Sequence, residues 1–188
     1  MGLDLHAGEH AWHASYSGLQ MHRIHCILAF AKVLKDNFPG ATKTLGAVIS
    51  CLPPLAAAAC AGDHGMIEGF LAGRMALPRK PDPEPGAGMG LMAALEDTTP
   101  NYKNIKRLRM GLAAPGAVVK PLRGLEAWVN HSDCDGRHTP AQARKVLDML
   151  DFIMGALPQD EPWDKKWHED LRALYAHATE KKRVVEFC

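Results

Sequence analysis

The apolar positions of this chain recur with helical rather than extended spacing. Ile24, Ile27, Leu28, Ala31, Leu34 and Phe38 keep an i, i+3, i+4 rhythm. Ser15 or Ser17 stands ahead of them as an N-cap and Pro39-Gly40 follows as a stop, so the spacing predicts a helix over 19–38. Ala143, Val146, Leu147, Leu150, Ile153 and Leu157 repeat the pattern over 140–157, and Trp163, Trp167, Leu171, Leu174 and Ala178 repeat it over 162–180. Shorter helical pieces are expected within Thr42 to Cys60, split by Pro53-Pro54, and around Met66, Ile67, Phe70 and Leu71. A further helix is expected after Thr99-Pro100, with Ile105, Leu108 and Leu112 as its stripe, and another carries Leu122, Leu125, Trp128 and Val129.

No run alternates apolar and polar residues for long, and Val118-Val119 is too short to found a sheet. The first twelve or so residues read as irregular and the charged tail after 180 as frayed. The expectation is an all-α protein, a compact multi-helix single domain over 1–188. The Pro- and Gly-rich stretch 78–90 forms an exposed loop within it.

One stretch between two expected helices carries candidate chemistry, His131-Ser132-Asp133-Cys134-Asp135-Gly136-Arg137-His138-Thr139-Pro140-Ala141-Gln142. With Gly136 at the sharp-turn position of an EF-hand loop, Asp133 and Asp135 occupy positions three and five, the Arg137 carbonyl position seven, Thr139 position nine and Gln142 position twelve. His131 replaces the usual first Asp, and Gln142 replaces the bidentate Glu. Hard cations need several charged oxygens, so this degenerate EF-hand-like turn is expected to bind calcium weakly. Thr139-Pro140-Ala141-Gln142 is equally a capping box, which would make the loop a structural turn between helices. A third reading takes His131, Cys134 and His138 as soft donors for zinc, and a fourth makes Cys134 a nucleophile with one of those histidines as base.

Asn130 to Gly136, together with Ser15-Tyr16-Ser17-Gly18, resembles runs in uncharacterised bacterial and phage proteins, and the two cover about a fifth of the chain. That resemblance implies a metal loop and no particular activity.

Other soft donors are scattered. His22, His25 and Cys26 sit beside the stripe of the 19–38 helix at spacings that suit a soft metal, though they lack a complete tetrahedral set. His6, His10 and His13 have helical spacing, but Gly8 weakens a helix there, and exposed or hydrogen-bonded histidines are the plainer reading.

Charge narrows the partners. Lys plus Arg number 22 against 21 Asp plus Glu, so no global field draws the chain to nucleic acid or to an anionic membrane. The basic runs at Lys103, Lys106, Arg107 and Arg109 and at Lys181, Lys182 and Arg183 lack interleaved aromatics and read as solvated faces. A protein partner or a second copy of the chain stays open. Five cysteines without a CxxC fit reduced thiols, and neither a signal peptide nor a spanning helix is visible, which points to the cytoplasm. The function classes that follow are a non-enzymatic helical protein with a weak cation loop or structural turn, and a zinc-dependent or thiol enzyme built on His131, Cys134 and His138.

Overall fold

Helix α1 (Tyr16–Asn37) runs through the middle of the computed structural model, which describes residues 2–71, 99–105, 108, 114–131, 136–156 and 162–188. Between Leu19 and Leu34 it is buried on almost every side, with only Met21 and Lys32 half-exposed. A helix enclosed all round is an interior helix rather than an amphipathic cover. Its start is fixed by Ser15, whose hydroxyl accepts from the Gly18 N–H at 3.0 Å.

Of the expected shorter helices, α2 (Thr42–Ile49) and α4 (Met66–Leu71) pack on it, and α3 (Pro54–Gly62) packs on those two. The break between α2 and α3 falls at Pro53-Pro54, and Pro54 takes the first turn of α3, where a missing N–H goes unnoticed. Helix α5 (Tyr102–Ile105) starts after Asn101, whose side chain accepts from the Asn104 N–H, rather than at Pro100. Helices α6 (Gly116–Val129) and α7 (Pro140–Ile153) pack closely on each other, and α7 continues into a 3-10 turn, Met154–Ala156. Helix α8 (Pro162–Glu180) lies against α7 and against the sheet described next.

The described residues also hold a four-stranded antiparallel sheet of β1 (Gly2–Ala7), β2 (His10–Ser15), β3 (Gly136–His138) and β4 (Val185–Phe187), in the order β2-β1-β4-β3. The chain is therefore mainly helical rather than all-α. Leu3, Leu5 and Ala7 on β1 and Trp12 and Ala14 on β2 are buried, while Asp4, His6, Ala11 and His13 between them are more open. That is a two-residue period, muted because alanines fill two of the five inward places. The strands join through Gly8-Glu9, with Gly8 at φ 68°, the positive φ that a two-residue Gly-X hairpin turn needs at its first position. The tail expected to fray instead inserts β4 between β1 and β3, with Leu5 and Gly136 both opposite Phe187.

The 78–90 stretch and Lys106, Arg107 and Arg109 lie outside the described residues. Among those described, no helix is long and apolar enough to cross a membrane.

Candidate metal centre

His22 and Cys26 are four residues apart on α1, which places them on one face of the helix. His168 reaches the same point from α8. The ligand atoms of the three side chains lie within 4.8 Å of one another, and among the described residues this is the one group of three or more His, Cys, Asp or Glu close enough to share a metal ion. The His22 Nδ1 to Cys26 Sγ distance is 3.6 Å, and the two imidazole centroids are 4.2 Å apart. All three residues are at most 2% exposed.

Three indoles wall the group. Trp12 from β2, Trp128 from α6 and Trp167 from α8 surround the His22 ring at centroid distances of 5.6, 5.4 and 6.4 Å. The wall is itself tied together by the Trp12 indole N–H donating to the Trp167 carbonyl. The Trp128 indole N–H lies near enough to the Cys26 sulfur to favour the thiolate without closing a regular hydrogen bond.

Burial sets the protonation states. It lowers the His22 pKa well below the usual imidazole value, with His168, His25 and Arg23 adding to the effect. It takes His168 down to about 3, helped by His25. Both rings are therefore neutral at physiological pH, which is the form that ligates metals. Burial pushes the Cys26 thiol far up, against smaller opposing effects of Trp128 and Arg23, so without an ion the thiol is protonated.

Hydrogen bonding does not explain the arrangement. His22 Nε2 and both ring nitrogens of His168 have no hydrogen-bond partner among the described residues. Each buried polar atom left unpaired costs about 1–3 kcal/mol, and native interiors keep few of them. Two imidazoles and one thiolate are the donors that zinc and copper prefer, and a metal ion would engage one nitrogen of each ring together with the sulfur.

The 131–142 stretch is organised differently. Asp133, Cys134 and Asp135 lie outside the described residues. Arg137 lies on β3, and Thr139 caps α7, its hydroxyl accepting from the Gln142 N–H while the Gln142 side-chain oxygen accepts from the Thr139 N–H at 2.9 Å. The capping box read from the sequence is thus present, and it engages the oxygen that Gln142 would lend to an ion.

His131 and His138 come together, with ring centroids 4.4 Å apart, but each has other company. His131 stacks on Phe187, and its carbonyl accepts from the Arg23 guanidinium at 2.8 Å. The Tyr175 hydroxyl, kept protonated by burial, shares a 2.8 Å hydrogen bond with His138 Nδ1. Of the N-terminal histidines, His13 pairs with Asp4 and His10 packs against His177 at 4.0 Å. His25 stays near the centre, its charge acting on both ligand imidazoles, but it is not one of the clustered donors.

His168 went unnoticed in the sequence, where Trp167, Leu171, Leu174 and Ala178 marked the buried face of α8. Its position was nevertheless a signal. It stands three residues before Leu171 and seven before Tyr175, both fully buried, so it shares their stripe.

Comparison with known proteins finds no matching family model, no matching curated protein and no matching solved structure.

Proposed function

We propose that this chain is a metal-binding protein whose resident ion is a soft metal of the zinc or monovalent-copper class, held by His22, Cys26 and His168. The observation that carries the reading is the convergence of two neutral imidazoles and a thiol from two helices, with three ring nitrogens lacking any other partner among the described residues. Complete burial of the donors favours an ion that stays and ties α1 to α8 over one that meets substrates, so the role is non-enzymatic. Two cavities, of about 490 Å³ beside His131 and His138 and about 450 Å³ beside His10 and Asp170, are not lined by any of the three donors. Cys26, Cys51 and Cys60 are free and buried, and a site that needs a reduced thiol suits the cytoplasm.

Cobalt(II) substitution tests the reading. Titrating the metal-free protein with cobalt is expected to raise a sulfur-to-metal charge-transfer band that saturates at one equivalent and is missing in Cys26→Ser. The same band in the variant would contradict it, as would a protein that takes up neither cobalt nor Cu(I).

Weak calcium binding by the 131–142 loop, through Asp133, Asp135, the Arg137 carbonyl, Thr139 and Gln142, is a second reading with one observation in its favour. Gly136 has φ 128°, and helix α7 starts four residues later, matching the sharp turn and exit helix of an EF-type loop. Calorimetric calcium titration of the parent and of the His131→Asp, Gln142→Glu double variant decides it. Much tighter binding by the double variant supports EF geometry, and no gain removes the reading.

A further inference from the structure

Resting on the metal-site reading just given, we propose that the ion this centre is built for is monovalent copper, Cu(I), held three-coordinate by His22, Cys26 and His168, and that zinc is disfavoured there.

The first argument is a charge count. Two neutral imidazoles and one thiolate carry a single negative charge. Cu(I) makes the assembly neutral, whereas Zn(II) leaves a net positive charge. The donors are completely buried, and no Asp or Glu belongs to the donor group among the described residues. An unbalanced charge in such a place is penalised even after the surroundings relax. Arg23, fully buried and next to His22 in the chain, adds further positive potential, and its field acts on both His22 and Cys26. A dication meets that potential at twice the strength that a monocation does.

Coordination number is the second argument. Zinc in a closed protein site takes four ligands in a tetrahedron, and three clustered donors leave one place to fill. The space around His22 is occupied by Trp12, Trp128 and Trp167. Cu(I), with a filled d shell and a soft preference for sulfur and imidazole, is satisfied by three ligands. Indole rings are also good neighbours for a monovalent cation, through the negative face of their π system. The Trp128 N–H beside the Cys26 sulfur suits a metal-bound thiolate, which keeps lone pairs to accept it.

The rival arrangement is specific. His25 is near enough to act electrostatically on His22 and His168, and a shift of its ring onto the ion would complete a four-ligand zinc site. That shift would supply the missing ligand but would not remove the excess charge.

The experiment is a pair of competition titrations on the full metal-free chain under anaerobic, reducing conditions. Cu(I) is offered against bathocuproine disulfonate and Zn(II) against a zinc-binding dye. The expected result is one equivalent of Cu(I) withdrawn from its chelator and kept in a large excess of zinc. X-ray absorption of the loaded protein should then show a first shell of two nitrogens and one sulfur. Cys26→Ser should lose more than about 100-fold in Cu(I) affinity, a scale that changes merely adjacent to metal ligands already reach. His168→Leu provides the same readout if the serine variant does not fold. One equivalent of zinc that Cu(I) does not displace would overturn this inference while upholding the metal site. Failure to hold either ion would overturn both, and Cu(I) binding unchanged in the variants would place the ion elsewhere and overturn this assignment.

Discussion

His22 on α1 and His168 on α8 present their rings to each other at a centroid separation of 4.2 Å and a tilt of 36°, and three of their four ring nitrogens are without a hydrogen-bond partner among the described residues. Two neutral imidazoles packed this way contribute little that two leucines would not, and they leave polar atoms stranded. The pairing is economical only as part of a ligand set. Cys26, four residues after His22 on the same helix face, supplies the third member.

The sheet gives the first prediction. Removing residues 184–188 takes away buried Val185 and Phe187 and leaves β1 and β3 without the strand between them. Burial of two such side chains is worth about 3–6 kcal/mol, so urea unfolding should show a loss of that order. A loss below about 1 kcal/mol would mean that the tail is frayed and carries no strand.

Acid sensitivity at His138 gives a second. Burial, then the neighbouring charge of His131, lowers its pKa from 6.5 to about 3, with the Ala127 carbonyl acting in the opposite direction and Arg23 in the same. The unfolded chain therefore takes up this proton first. Its contribution to stability is whole above about pH 6.5 and is lost as the pH falls towards 3, at about 1.4 kcal/mol per pH unit for this one group. Unfolding free energies measured between pH 7.5 and 4.5 should fall less steeply in His138→Gln than in the parent. Equal slopes would show that His138 titrates normally in the fold.

The α6–α7 crossing gives a third. A Cβ on Gly124 would lie 1.9 Å from the Lys145 carbonyl oxygen and 2.6 Å from the Met149 Cβ, and backbone cannot swing aside. Gly124→Ala should therefore destabilise by about 1–3 kcal/mol or more. Gly46 in α2 faces open space, so Gly46→Ala should instead stabilise by up to about 1 kcal/mol through helix propensity. Chemical denaturation of the two variants reads opposite signs, and a gain in both would mean that α6 and α7 do not meet as described.

What the sequence disclosed was what local periodicity encodes. The stripes of α1 and α8, the Pro53-Pro54 break and the Thr139–Gln142 capping box all rest on neighbours within one or two turns. The sheet was hidden because β3 and β4 are three residues each and β1 and β2 bury alanines beside their leucines and tryptophan. The Gly8-Glu9 turn was the missed local signal. At the site, the His22 and Cys26 spacing was readable on α1, while the ligand that joins them depends on how α8 docks, which no local pattern specifies. Asp133 and Asp135, on which the calcium reading rests, lie outside the described residues.

The most direct test of the metal centre is ion-dependent stability, measured by denaturant unfolding of the parent and of His168→Leu, each metal-free and each with Cu(I) or zinc added. An ion present at about 100 times its Kd should stabilise the parent by about 2.7 kcal/mol. The variant should gain nothing from the ion. Its metal-free form should be at least as stable as the metal-free parent, because the substitution removes two buried nitrogens that lack partners. A parent that gains nothing from either ion, or a variant that gains as much as the parent, would contradict the assignment of His22, Cys26 and His168 as a metal site.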